Sequence, residues 1–233
     1  VQSTPFYTAY LKIADGCDNF CTYCIIPKLR GKFKSRSKKS IIDEAKALAQ
    51  NGVKELILVA QDTAYYGKDL NDGYYINSLL HDLSCIDGIE WIRMQYCYPE
   101  NITDELIDEV AANKKAVKYF DMPLQHVSDN VLKRMGRKSR YNDICTLIEK
   151  IHKKIDGVSL RTSLIAGFPG ETDEDFEILK NFLAKYRLDK VGVFAYSREE
   201  DTPAYSFDNQ IADDIKIKRR DELMRFQKEI SKE

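Results

Sequence analysis

Six short apolar runs recur along this chain, each separated from the next by a stretch with helical periodicity. No other feature restricts the fold as much. The runs are 8–14, 55–61, 90–98, 118–124, 159–167 and 190–197. They are rich in Val, Ile, Leu, Phe and Tyr, the composition of strands buried in a parallel sheet. The intervening stretches carry helix-start signals. Ser40 stands before Ile41-Ile42-Asp43-Glu44, Thr103 before Asp104-Glu105, and Thr172 before Asp173-Glu174-Asp175, while Gly52 marks the end of the first of these helices. Six βα units with right-handed crossovers predict an α/β fold, a partial (βα)6 TIM-like barrel. A charged amphipathic helix over 212–231 is expected to close the barrel's edge, and 233 residues suit one domain over 1–233. The chain opens at Val1 rather than Met, which reads as a piece of something larger.

Composition narrows the function classes. With 36 Lys and Arg against 37 Asp and Glu, the net charge of −1 gives no global field toward nucleic acid or a membrane. No apolar run is long enough to span a bilayer, and no leader peptide is visible, so no membrane partner is expected. Six cysteines are too few for a disulfide scaffold. They imply a reducing, cytoplasmic setting with a metal site.

Three of the six are Cys17, Cys21 and Cys24, spaced three then two, directly after the first strand. Active faces of barrel enzymes lie at the C-terminal ends of the strands. Three thiolates this close can hold three corners of an iron–sulfur cube, leaving the fourth iron open to substrate or cofactor. The other readings are a zinc site completed by a distant residue, or simply buried thiols. Tyr23, just before the third cysteine, offers its ring either to a flat heterocycle or to packing of the loop against the barrel mouth. Cys85, Cys97 and Cys145 read as small buried apolar residues.

Other strand ends supply polar groups. Gln61, Asp62 and Thr63 follow the second run and Gln125 and His126 the fourth, placed to bind an ammonium, a carboxylate or ribose hydroxyls, or to brace loops. Arg161 and Ser163 share one face of the fifth run, and an Arg inside a barrel needs an anionic partner, either a cofactor carboxylate or an internal acid. Gly167-Phe168-Pro169-Gly170 brings backbone close to a ligand or makes a plain tight turn. His126 reads as a structural histidine before a proton relay.

The C-x3-C-x-aromatic-C loop resembles that of the radical S-adenosylmethionine superfamily. IADGCDNFCTYCIIPKLRGKFKSRS, LVAQDTAYYGKDL, DMPLQHVSDNVLKRMGR, LIAGFPGETDEDF and VFAYSREEDTPAY, in that order, are similar to its methylthiotransferase branch. The Gln-Asp-Thr form after the second strand resembles the subgroup that methylthiolates an aspartate of a small-subunit ribosomal protein. A tRNA-modifying relative and a non-catalytic metal-binding module are the alternatives. The resemblance implies a four-iron, four-sulfur cluster on Cys17, Cys21 and Cys24 and S-adenosylmethionine chelating its open iron. An electron from a cellular donor then cleaves the sulfonium bond to give a 5′-deoxyadenosyl radical. It assigns Tyr23, Gln61, Asp62, Gln125, Arg161, Ser163, Gly167, Phe168 and Tyr196 to the cofactor pocket. The branch also carries an N-terminal domain with a second cluster and a C-terminal TRAM domain. Neither is seen in this sequence, so one cluster is expected here.

Lys28, Arg30, Lys32, Lys34, Arg36, Lys38 and Lys39 crowd the stretch after the cysteine loop. They imply either a local contact with ribosomal RNA or an acidic partner, or a solvated loop paired with this chain's own acids.

Overall fold

In the computed structural model, which describes residues 4–232, the six apolar runs become six parallel strands. The strands in chain order are β1 (Thr8–Lys12), β2 (Ala14–Asp15), β3 (Lys34–Ser35), β4 (Glu55–Val59), β5 (Trp91–Met94), β6 (Tyr119–Asp121), β7 (Ser159–Ala166) and β8 (Lys190–Ala195). The helices are α1 (Ile26–Arg30), α2 (Lys38–Gln50), α3 (Ile76–Ser84), α4 (Asp104–Ala112), α5 (Asp129–Arg134), α6 (Tyr141–Lys154), α7 (Asp173–Tyr186) and α8 (Asp213–Ile230). Strands β1, β4 and β5 pair in that order and β6, β7 and β8 in theirs, all parallel. An isolated bridge between Ile92 and Ala116 and a bond from the Cys97 N–H to the Asp121 carbonyl at 2.8 Å join the two halves. Among the described residues no ladder joins β8 back to β1, so the sheet curls into an open barrel.

The burial pattern shows which face meets the helices. Along β7 Leu160, Thr162, Leu164 and Ala166 are fully buried, whereas Ser159, Arg161, Ser163 and Ile165 are only partly so. Alternate residues point to opposite faces. Leu160, Leu164 and Ala166 of the buried set pack under the helices with Leu11, Leu56, Leu58, Ile92 and Phe120, and each buried Leu, Ile or Phe contributes about 1.5–3 kcal/mol. The partly buried set lines the lumen. On that inner face Tyr10 and Phe194 stay 53% and 58% exposed, so the lumen is open rather than filled.

Helix starts follow the expected chemistry with one correction. The Thr103 and Thr172 side chains accept from the backbone N–H groups of Leu106 and Asp175, as N-caps do. Helix α2, however, begins at Lys38, and its cap is Ser37, whose hydroxyl accepts from the Ser40 N–H. Ser40 is therefore inside the first turn. Helix α8 lies on β7 and β8, closing the edge as expected. Its inward face is more polar than amphipathy implied: Lys216, Arg219, Leu223 and Gln227 are its buried residues. Gln227 Nε2 donates to the Leu188 carbonyl at 2.9 Å, while its Oε1 is buried without a partner.

Candidate active site

The cysteine loop hangs from the end of β1 and is tied down on both flanks. Strand β2 pairs antiparallel with β3, so the segment between them closes on itself. Within it the Cys17 N–H donates to the Gly31 carbonyl at 3.1 Å and the Cys24 N–H to the Cys21 carbonyl at 3.0 Å. On the far flank Thr22 donates from its N–H to the Met135 carbonyl at 3.0 Å and from its hydroxyl to the Arg134 carbonyl at 2.8 Å. The Ala204 N–H in turn donates to the Thr22 carbonyl at 2.8 Å.

Cys17, Cys21 and Cys24 all line one cavity of about 360 Å³ at the C-terminal rim of the strands. All three are free thiols. Burial pushes Cys17 up to about 11 and also raises Cys24, so both hold their protons until a metal displaces them. Among the described residues no three His, Cys, Asp or Glu side chains are grouped so as to hold one metal ion. The three thiols border a common space.

Four of the residues expected in the cofactor pocket join them: Tyr23, Gln61, Gln125 and Ser163. The Gln61 Oε1 atom is buried with no partner, an acceptor left for a bound group. The Tyr23 ring meets Phe168 edge-on with centroids 6.4 Å apart.

The remaining expected residues lie elsewhere. Asp62 sits beneath the cavity, 1% exposed, where its carboxylate accepts from the Tyr98 N–H at 3.2 Å, Asn101 Nδ2 at 2.7 Å and Asn19 Nδ2 at 3.4 Å. Burial pushes it up to about 6 against those donors. It braces the cysteine loop through Asn19. Arg161 pairs with Asp121 at 2.7 Å, so its anion is an internal acid, and it faces a different cavity beside α8. Phe168 is fully buried between Tyr23, Tyr196 and Phe207, with the Tyr196 ring 5.2 Å away. Gly167 has φ +75°, and a Cβ there would lie 2.4 Å from Lys216 Cγ, so the glycine admits α8 rather than a ligand. Thr63 donates to the Gln95 carbonyl at 2.8 Å, a loop-holding contact.

Sequence reasoning missed Tyr96, Tyr98 and Arg137, which also line the cavity. The Arg137 side chain is 1% exposed, with its guanidinium 3.8 Å from the Tyr98 ring centroid. It donates to the Pro123 carbonyl at 3.0 Å and the Tyr23 hydroxyl at 3.4 Å, and faces Glu100 at 3.5 Å. Cys85 is exposed, contrary to expectation, because it falls at the C-terminal cap of α3; Cys97 and Cys145 are buried as expected.

His126 is a structural residue with a readable pH signature. Burial drives its imidazole from an ordinary 6.5 down to about 3 and the neighbouring Glu171 carboxyl from 4.5 up to about 7. The neutral ring accepts at Nδ1 from the Ser128 N–H at 2.9 Å, and Nε2 faces Glu171 Oε2 at 3.6 Å, too long for a hydrogen bond. Glu171 accepts from the Gly167 N–H and pairs with Arg219, both at 2.8 Å. A histidine depressed in the fold stabilises above its ordinary value, and that stability is lost as pH falls toward 3. A raised carboxyl acts oppositely, stabilising below 4.5 and losing its effect as pH rises through about 7. The two slopes cancel between 4.5 and 6.5. His126→Asn removes the first, so the variant gains on the wild type below pH 6.5 by up to about 1.4 kcal/mol per pH unit. Denaturant unfolding across pH measures this; a pH-independent difference would contradict the assignment.

Five of the seven cations in the basic stretch meet nearby acids. Lys28 pairs with Asp201, Arg30 with Asp15, Arg36 with Glu44, Lys38 with Asp82 and Lys39 with Asp43. Those five pairings are the arrangement of a solvated loop paired with this chain's own acids, held weakly in water.

An open parallel barrel carrying three cysteines at its rim defines a class, and the sequence agrees: the chain belongs to the Radical SAM superfamily, whose profile matches residues 11–183. More particularly, it is similar to ribosomal protein uS12 methylthiotransferase RimO. It is 58% identical over 231 residues to that of Clostridium perfringens, covering 99% of this chain, and 55% identical over 232 residues to that of Clostridium tetani, covering all of it. The chain spans 52% of the length of each of these relatives. Among solved structures it resembles the radical S-adenosylmethionine methyltransferase TsrM from Kitasatospora setae with cobalamin and a 4Fe-4S cluster bound. The TM-score is 0.68 at 18% identity, covering 84% of this chain and 38% of that one. It also resembles coproporphyrinogen III oxidase HemN from Escherichia coli, a radical SAM enzyme, with a TM-score of 0.68 at 19% identity, covering 95% and 52%. At such identities these likenesses bear on the fold alone. Among the described residues no helix is long and apolar enough to cross a membrane.

Proposed function

We propose that this chain is the catalytic core, in one domain, of a cytoplasmic methylthiotransferase acting on an aspartate of ribosomal protein uS12. One observation carries the reading: Cys17, Cys21 and Cys24 border one cavity with Tyr23, Gln61, Gln125 and Ser163, and Gln61 Oε1 is buried there without a partner. Its support from relatives is the 58% identity to RimO. The tRNA-modifying alternative has no comparable support.

The donor set fits a 4Fe–4S cluster with S-adenosylmethionine, since three thiols bordering a cavity leave room for a group larger than one ion and for a ligand beside it. When bound, that pair supplies an electron to the sulfonium and a carbon-centred radical able to take hydrogen from an unactivated carbon, which acid–base groups cannot do. The protein's own residues orient and shield. Cys17, Cys21 and Cys24 would ligate. The unpartnered Gln61 Oε1 would accept from the ammonium or ribose hydroxyls of the cofactor, and Gln125 and Ser163 would bind further polar groups from the opposite wall. Tyr23, fixed by Phe168 and Arg137, would lay its ring along the adenine.

The test is anaerobic reconstitution with iron and sulfide, then reductant and S-adenosylmethionine. Formation of 5′-deoxyadenosine well above the protein-free background is expected; background levels from a fully reconstituted sample would contradict the reading.

A further inference from the structure

Cys21 differs from its two companions. The residue is 7% exposed and its thiol lies 3.4 Å from the Tyr98 hydroxyl, while Cys17 and Cys24 are half-buried. Once Cys21 is a metal-bound thiolate it has no proton to give, so the phenol must be the donor. Tyr98 is held from two directions. Its backbone N–H donates to Asp62 Oδ1 at 3.2 Å, and the Arg137 guanidinium lies 3.8 Å over its ring. Arg137 is itself fixed by the Pro123 carbonyl and Glu100. Two buried residues from two other loops thus hold the backbone and ring of a tyrosine whose hydroxyl meets one sulfur.

A hydrogen bond to a ligating sulfur stabilises the more negative, reduced state of an iron–sulfur cluster, and so raises its potential. We infer that Tyr98, held in place by Arg137 and Asp62, is a positioning residue that donates to the Cys21 thiolate and sets the reduction potential of the cluster bound by this chain. The inference rests on the cluster reading given under Proposed function. It assigns Arg137 a buried structural duty beside the cavity: fixing Tyr98 on one side and Tyr23 on the other.

The experiment is an EPR-monitored redox titration of the reconstituted chain without S-adenosylmethionine. Tyr98→Phe keeps the ring under Arg137 and removes only the O–H. Its midpoint is expected to fall below that of the wild type at equal iron and sulfide content. An unchanged or raised midpoint overturns the inference. Should Tyr98→Phe not take up the cluster, 3-fluorotyrosine placed at position 98 decides. The more acidic phenol is a stronger donor and must raise the midpoint, and no rise overturns the inference. A wild-type chain that binds no iron and sulfide at all would instead remove the cluster reading, and the inference with it.

Discussion

Replacing any one of Cys17, Cys21 and Cys24 by alanine is expected to abolish cluster binding and to lower 5′-deoxyadenosine formation by more than about 100-fold, beyond the about 10–100-fold that loss of an outer partner brings. The three thiols are the ligands that this cavity offers on the side of the cysteine loop, so loss of one has no neighbouring substitute. Cys85→Ala is the matched control. That thiol is exposed at the end of α3, outside the cavity, and its loss should leave iron, sulfide and product unchanged. Cluster content is read by iron and sulfide assay and product by chromatography. A Cys21→Ala chain retaining a full cluster would contradict the assignment.

Gly16→Ala should be nearly as damaging, for a backbone reason. Gly16 directly precedes Cys17 and has φ +75°, a region costing an L-residue about 1–2 kcal/mol. A Cβ there would also lie 2.1 Å from the Lys32 carbonyl oxygen and 2.7 Å from that of Gly31. Both obstacles are main chain, in the strand of the loop that accepts the Cys17 N–H, so relief requires moving the cysteine itself. A loss of about 3 kcal/mol or more is expected, with cluster uptake reduced in proportion. Gly31→Ala separates the two causes. It shares the positive φ, at +72° with ψ −162°, and so carries about 1–3 kcal/mol of backbone strain, but nothing lies within 4 Å of its Cβ position, so it should keep the cluster. Equal unfolding midpoints for the two variants would show that the close approach at Gly16 is not what holds the loop.

The barrel was legible in the sequence because six apolar runs with helical spacers leave few other ways to bury that surface. Boundaries were less so. The run 90–98 is strand only over Trp91–Met94, because beyond it Tyr96 takes φ +59° and turns Cys97 and Tyr98 under the cavity. The strand-end argument placed Gln61, Gln125 and Ser163 where they border the cavity, whereas the adjacent Asp62 turns to Tyr98, Asn101 and Asn19. Arg161 shares a face with Ser163 yet stands two residues deeper, at the level of Asp121. Tyr98 and Arg137 carried no local signal. Arg137 lies in a charged run after α5 that resembles any solvated loop, and only the tertiary approach to Glu100 and Pro123 brings it inside.

On the proposed reading, three thiols hold a cluster whose remaining iron accepts S-adenosylmethionine. The most direct measurement is the EPR spectrum of the reduced, reconstituted chain before and after S-adenosylmethionine is added. A 4Fe–4S signal whose g-values shift on addition is the expected result. A signal indifferent to S-adenosylmethionine, or stoichiometric zinc in place of iron and sulfide, would contradict it.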